Sequence, residues 1–289
     1  MSDTSDMDNL STTTEESNPM EDVELEVLKE SVQGKSKNTI KSYVQSYSKL
    51  RKALDKEVHK SSQKLILDTT AKHSTNLNTQ AALINVGILI RRLYSLDVKE
   101  LEKKRKENKK GIACYTKAVN ESLNLPTLAE FDQHLEYVFR KGMWAEFIIN
   151  YLIRHCCVRN QDLVFDIVTR KKETVGKQNF MWLGRGKATY YRRVYKTAET
   201  YGEKTNVITD KKFLTALKSV KKPIIANKEN AGYWIKKATY KELGEGALLK
   251  VVLNDARIRG DYHKLNEISQ LRGTDCATLT TSYNIQCEN

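Results

Sequence analysis

The sequence predicts a mainly α protein with a small antiparallel β-sheet, an α+β chain built in two domains. Three observations carry this expectation. Apolar residues recur at helical spacing over long stretches before residue 120 and again after 210. Between residues 163 and 208 the pattern changes to short β-favouring runs broken by glycines. The 289 residues suffice for two modest domains plus a tail, and a hydrophobic fraction of 39% suits buried cores. No apolar run approaches the ~18 residues of a membrane helix, so no membrane partner is expected. The first residues are polar and acidic, unlike a secretory signal.

Residues 1–34 are rich in Ser, Thr, Asp and Glu and read as a disordered acidic tail. From Lys35 the pattern turns helical. Ile40, Tyr43, Val44, Tyr47, Leu50 and Leu54 form one apolar stripe, and 76–96 is apolar almost all round, as a central buried helix would be. Asp97 caps a further helix that carries Lys103, Lys104, Arg105, Lys106, Lys109 and Lys110. Residues 35–120 therefore read as one helical domain with basic edges. Pro126 marks the expected boundary, and 125–289 form the second domain. Its helices are expected from Thr127, over Trp144 to Cys157, and at 211–221, 243–258, 262–271 and 275–283. Its strands are expected in 164–169, 180–183, 189–191 and 207–208.

Charge narrows the function classes. The chain carries a net +13, but residues 1–30 hold ten acids and one lysine, a net of −9, which leaves +22 on residues 31–289. A body that basic attracts polyanions, nucleic acid foremost. The RNA-recognition aromatic signatures are absent, which places an RNA- or protein-binding helical module behind a DNA binder. The five cysteines, Cys114, Cys156, Cys157, Cys276 and Cys287, lack metal spacing and include an adjacent pair; they read as buried or free thiols of a reducing, intracellular compartment. The Lys- and Asn-rich, Pro-poor composition points to an AT-rich genome, viral or of a mobile element, so the nucleus or another site of such DNA is the expected location.

Three segments stand in a suggestive order. Arg159-Asn-Gln-Asp162-Leu163 follows an apolar helix and precedes a strand. Tyr195-Lys196-Thr197 lies between two β-runs. Near the end comes Ile268-Ser-Gln-Leu271-Arg-Gly273-Thr-Asp-Cys-Ala-Thr-Leu-Thr-Thr-Ser-Tyr283. In this order they resemble the tyrosine recombinase (phage integrase) family, in which a helix ending in Leu-Gly-His is followed about nine residues on by the nucleophilic tyrosine. Lys196-Thr197 is similar to the family's Lys-Thr-Gly hairpin element. Residues 35–120, opening on Asn38-Thr-Ile-Lys-Ser-Tyr43, look like its helical core-binding domain, and 125–289 like its catalytic domain.

The resemblance implies a recombinase or integrase that closes around duplex DNA and breaks and rejoins it through a 3′-phosphotyrosine, with no metal or other cofactor. Tyr283 would attack the phosphate. Arg159 would hold the transition-state charge with its planar fork, and Lys196 would protonate the leaving 5′ oxygen. The pattern also departs from the family. Lys241 and Gly244 stand where His-x-x-Arg belongs, and Thr274 replaces the third-box histidine; Lys250 and Arg272 are the candidate substitutes for the missing cation, and His263 reads as surface. These departures keep two alternatives open, a DNA-binding protein whose active site has decayed and a type IB topoisomerase-like enzyme. Six residues follow Tyr283, so a tetramer built by exchanging tail helices is not expected, while self-association on DNA stays open.

Overall fold

A computed structural model describes residues 22–170, 176, 178–220, 224–225 and 230–282. It is mainly helical with one four-stranded sheet, the α+β class that the two periodicities predict. The chain divides into two compact units, Met1–Tyr115 and Thr116–Asn289, and the division falls within a helix ahead of Pro126.

The first unit is helical: α1 (Val23–Ser31), α2 (Lys37–Leu54), α3 (Gln63–His73), α4 (Leu77–Leu93) and the start of α5 (Lys99–Ser122). Side chains of Ser36, Ser62 and Asn76 accept the first free N–H groups of α2, α3 and α4. Tyr47, Leu50 and Leu54 of the α2 stripe are buried against α4, whose Leu83, Ile84, Val86, Ile88 and Ile90 are buried nearly all round. A Cβ on Gly87 of α4 would lie 3.3 Å from Ile66 Cγ2, so the absent side chain lets α3 and α4 approach closely. On α5, Lys103, Lys106, Lys109 and Lys110 are exposed, while Lys104 and Arg105 are half-buried beside Glu107 and Glu102 at 3.4 and 3.7 Å.

The acidic tail is shorter than its composition implies. Residues 23–31 are helix α1, with Leu28 and Val32 fully buried in the core. A buried carboxylate fastens it: Glu24 accepts from the backbone N–H groups of Val58 and His59 at 3.0 and 2.8 Å and from the Tyr47 hydroxyl at 3.0 Å. Leu25, Leu28 and Val32 sit at helical spacing, and that stripe outweighs the acidic surroundings. Residues 1–21 lie outside the described residues.

The second unit begins with α6 (Leu128–Arg140) and α7 (Trp144–Cys156). Thr127 and Glu130 form a reciprocal capping box that starts α6. Arg154 holds Asp132 through two bonds of 2.8 and 3.1 Å, tying α7 to α6. There follow β1 (Asp166–Val168), β2 (Asn179–Leu183), β3 (Ala188–Arg192), α8 (Ala198–Tyr201), β4 (Lys204–Ile208), α9 (Lys211–Ser219), α10 (Ala231–Ala238), α11 (Glu245–Ile258), α12 (Tyr262–Arg272) and α13 (Cys276–Ser282). The core joins Phe131, Leu135 and Phe147 of α6 and α7 to Met181 and Tyr190 of the sheet and Phe213 and Leu217 of α9.

The sheet runs in the order β1-β2-β3-β4 and is mixed, not wholly antiparallel as expected: β1 pairs parallel to β2, with Ile167 opposite Met181. Parallel neighbours require the chain to return to the same end of the sheet between them. Apolar β-runs do not encode strand direction, so the sequence could not separate the two cases. Cys156 and Cys157 are buried, and burial pushes their thiols up to about 12 and about 11. Cys114 and Cys276 are exposed, and none of these four is in a disulfide; Cys287 lies outside the described residues.

Candidate functional site

Arg159 stands just beyond α7. That helix is capped by Cys157, whose left-handed backbone (φ 50°) turns the chain sharply. The next turn is closed by Asp162, which accepts the Arg159 N–H at 3.0 Å. Asp162 is fully buried; burial lifts its carboxyl above the ordinary range, against the opposing pull of the Arg159 N–H and of the guanidiniums of Arg192, Arg159 and Arg272. The acid three residues after the arginine thus fixes the loop from which Arg159 projects.

Its guanidinium reaches the end of α12, more than a hundred positions later in the chain. A helix leaves its last four carbonyls without internal partners, and α12 satisfies all four. Gly273, left-handed at φ 62°, allows the Gly273 and Thr274 N–H groups to return to Gln270 and Ser269, each at 3.1 Å. Arg192 donates to the Leu271 carbonyl at 2.8 Å, and Arg159 to the Arg272 carbonyl at 2.6 Å. The Thr197 hydroxyl then donates to the Gly273 carbonyl at 2.6 Å. Two guanidiniums face the negative end of the helix dipole, an arrangement worth about 1–2 kcal/mol per cation where it is partly buried. The Arg159 loop, the turn that carries Lys196 and the start of the 274–283 segment therefore meet at one point. Lys196 itself is exposed in that turn.

Arg192 was not among the residues singled out from sequence. It is 1% exposed, pairs with Asp162 at 3.5 Å and donates to Asn206 Oδ1 at 3.1 Å. The available signal was period two: Ala188, Tyr190 and Arg192 share the inward face of β3. An arginine on that face needs buried partners, and Asp162 supplies one.

Gly273 serves a second purpose. A Cβ there would stand 2.8 Å from Tyr195 Cε2 and 3.1 Å from Thr197 Oγ1, so only glycine lets the 195–197 turn lie on the helix end. Gly273→Ala is expected to cost about 1–2 kcal/mol for the left-handed backbone alone, and more for displacing Tyr195. Gly273→Asn tolerates the backbone but not the contact, so a thermal melt of both variants separates the two terms. An Asn variant as stable as the parent would refute the close approach.

The stretch around Lys241 and Gly244 offers no second guanidinium. Gly244 is the N-cap of α11 with φ 80° and ψ 165°, a backbone that excludes a strain-free side chain. Thr239 Oγ1 accepts its N–H at 2.9 Å. Lys241, also left-handed at φ 51°, is exposed and lies over the Tyr240 ring at 5.2 Å. Lys250 is half-buried on α11, and burial lowers its ammonium pKa. Arg272 is 4% exposed: it donates to the carbonyls of Cys157 and Val158 at 3.2 Å each and meets Glu245 at 2.5 Å. It therefore ties the ends of α7 and α12 to the start of α11. Thr274 is half-buried, and its carbonyl accepts from Ser269 Oγ at 2.5 Å.

Asp275 then accepts the Thr278 N–H at 2.7 Å to start α13, and this bond with that from the Thr278 hydroxyl holds its carboxyl below the usual range. Leu279 packs on Cys157, Leu249, Val252, Leu253 and Ile268. Helix α13 ends at Ser282, and Tyr283 lies outside the described residues. Among the described residues no group of His, Cys, Asp or Glu is arranged to hold a metal ion, and no helix is long and apolar enough to cross a membrane.

The chain is similar to a crystal structure of XerA recombinase, at a TM-score of 0.35 and 15% identity, over 91% of this chain and 93% of that one. A likeness of that strength fixes neither topology nor chemistry. No family model and no curated protein matches the chain.

Proposed function

We propose that this protein binds duplex DNA and breaks and rejoins it through Tyr283, in the manner of a tyrosine recombinase. The observation that carries the reading is the junction at the end of α12. There Arg159 holds the Arg272 carbonyl while Thr197, beside Lys196, holds the Gly273 carbonyl, so three segments far apart in sequence are fastened together. Arg159 supplies the fork for a scissile phosphate, Lys196 the proton for the departing 5′ oxygen, and Tyr283 the nucleophile ten residues after Gly273. The phosphotyrosine conserves the energy of the broken bond, so rejoining needs no nucleotide. The net +22 of residues 31–289 supports binding through phosphates, with affinity that falls steeply as salt rises.

A second reading retains the DNA binding and omits the cleavage. It is favoured by Gly244, whose left-handed backbone stands where a second arginine would be needed, and by Arg159 spending donors on helix carbonyls. One experiment separates the two. Duplexes selected by the protein from a random pool are remade with a nick that lets the cleaved end diffuse away, and covalent adducts are sought on denaturing gels. The first reading predicts an adduct in the parent chain and none in Tyr283→Phe, with equal DNA binding by both. Selected DNA that never yields an adduct leaves only the second.

A further inference from the structure

We propose that α10 carries a stacking site for unpaired nucleic-acid bases, formed by Tyr233 and Trp234. The inference rests on the nucleic-acid reading above but on no chemistry of Tyr283. Helix α10 is held firmly from beneath. Ala231 and Ile235 are buried in the core, and the Asn150 side chain donates to the Ala238 carbonyl at 2.8 Å and accepts the Tyr240 N–H at 3.0 Å. Its outer face does the opposite of what large aromatics usually do. Tyr233 is 59% and Trp234 55% exposed, and their rings meet edge to face at 5.4 Å and 79°. Each ring braces the other and leaves aromatic surface open to solvent.

The surroundings select the occupant. Lys236 and Lys237 are exposed on the same helix, and Lys237 is bonded to Glu242 at 2.8 Å. Residues 211–245 contain nine lysines against Glu229, Glu242 and Glu245, a net of +6 within 35 residues. Flat aromatic surface beside exposed lysines in a basic segment fits a polyanion that offers ring faces. Paired bases are stacked on their neighbours and show only their edges in the grooves, whereas unpaired bases expose their faces. A lipid surface fits less well. An interfacial helix needs a continuous apolar side, and here Ala231 and Ile235 are spent in the core while Gly232, Lys236 and Lys237 flank the rings.

The test compares full-length protein and its Tyr233→Ala, Trp234→Ala and double variants on a labelled dT oligonucleotide of about 20 nucleotides, enough to cover one such site, and on a duplex of equal length. The double variant is expected to lose about tenfold or more in affinity for the single strand, as removal of a stacking partner does. Duplex affinity should remain near that of the parent. Tryptophan emission should be quenched by the single strand in the parent and not in Trp234→Ala, since Trp144 and Trp182 are only half-exposed. Single-strand affinity unchanged in the double variant, or equal losses on both DNAs, overturns the stacking site while duplex binding by the parent upholds the broader reading. A parent that binds neither DNA sinks both. Variants that lose binding to anionic vesicles but keep single-strand affinity reassign the patch to lipid.

Discussion

On the proposed cleavage reading, Arg159→Ala is expected to lower the rate of covalent adduct formation by about 100- to 1,000-fold, the usual cost of removing one preorganised donor from a developing oxyanion. Binding to the same duplex weakens far less, because one cation among many is lost and the salt dependence falls by about one charge. Arg159→Lys is the informative partner. Lysine restores the charge but not the planar fork, so it recovers binding and not rate. The residue's bonds to the Arg272 and Gly273 carbonyls complicate the reading, since their loss costs about 1–3 kcal/mol of stability. Rates are therefore compared well below the melting point of each variant. A lysine variant with full rate and a lowered melting point would show that Arg159 acts as a helix cap and not on the phosphate.

Much of this arrangement can be read along the chain, and the reasons differ by element. The stripe from Ile40 to Leu54 specifies α2 because one face of a helix must be apolar to pack. Thr127 and Glu130 announce α6 because their side chains match the free N–H groups of a helix start. Gly273 is legible as the end of α12, since few other residues tolerate the left-handed turn. Helix α1 is hidden by its acids, because composition averages over a stripe of only Leu25, Leu28 and Val32. Helix α10 is short, its stripe of Ala231, Ile235 and Ala238 is mostly small, and its two largest side chains face solvent, so its apolar periodicity is easily overlooked. Pairings between distant residues are the least visible. Nothing near Glu245 or Arg272 in sequence indicates that the two meet, nor that the carbonyls at the end of α7 would claim the same guanidinium.

That buried pair gives the largest expected effect on stability. Glu245→Gln is expected to destabilise the second unit by about 3–5 kcal/mol, because it leaves the Arg272 guanidinium in the interior without its carboxylate. Arg272→Met falls in the same range, since it strands Glu245 and also frees the carbonyls of Cys157 and Val158. The double variant Arg272→Met/Glu245→Leu should recover most of the loss, as apolar replacements of a whole buried pair often do. Denaturant melts of the parent, Arg272→Met, Glu245→Leu and the double variant form a double-mutant cycle, and additive losses would show that the two side chains do not interact. The pair also bears on the junction. Arg272 anchors the two residues that precede Arg159, so Glu245→Gln should slow adduct formation in protein that is still folded, while Asn266→Ala, at an exposed position on α12, should not. An unchanged rate in folded Glu245→Gln would mean that the Arg159 loop keeps its position through Asp162 alone.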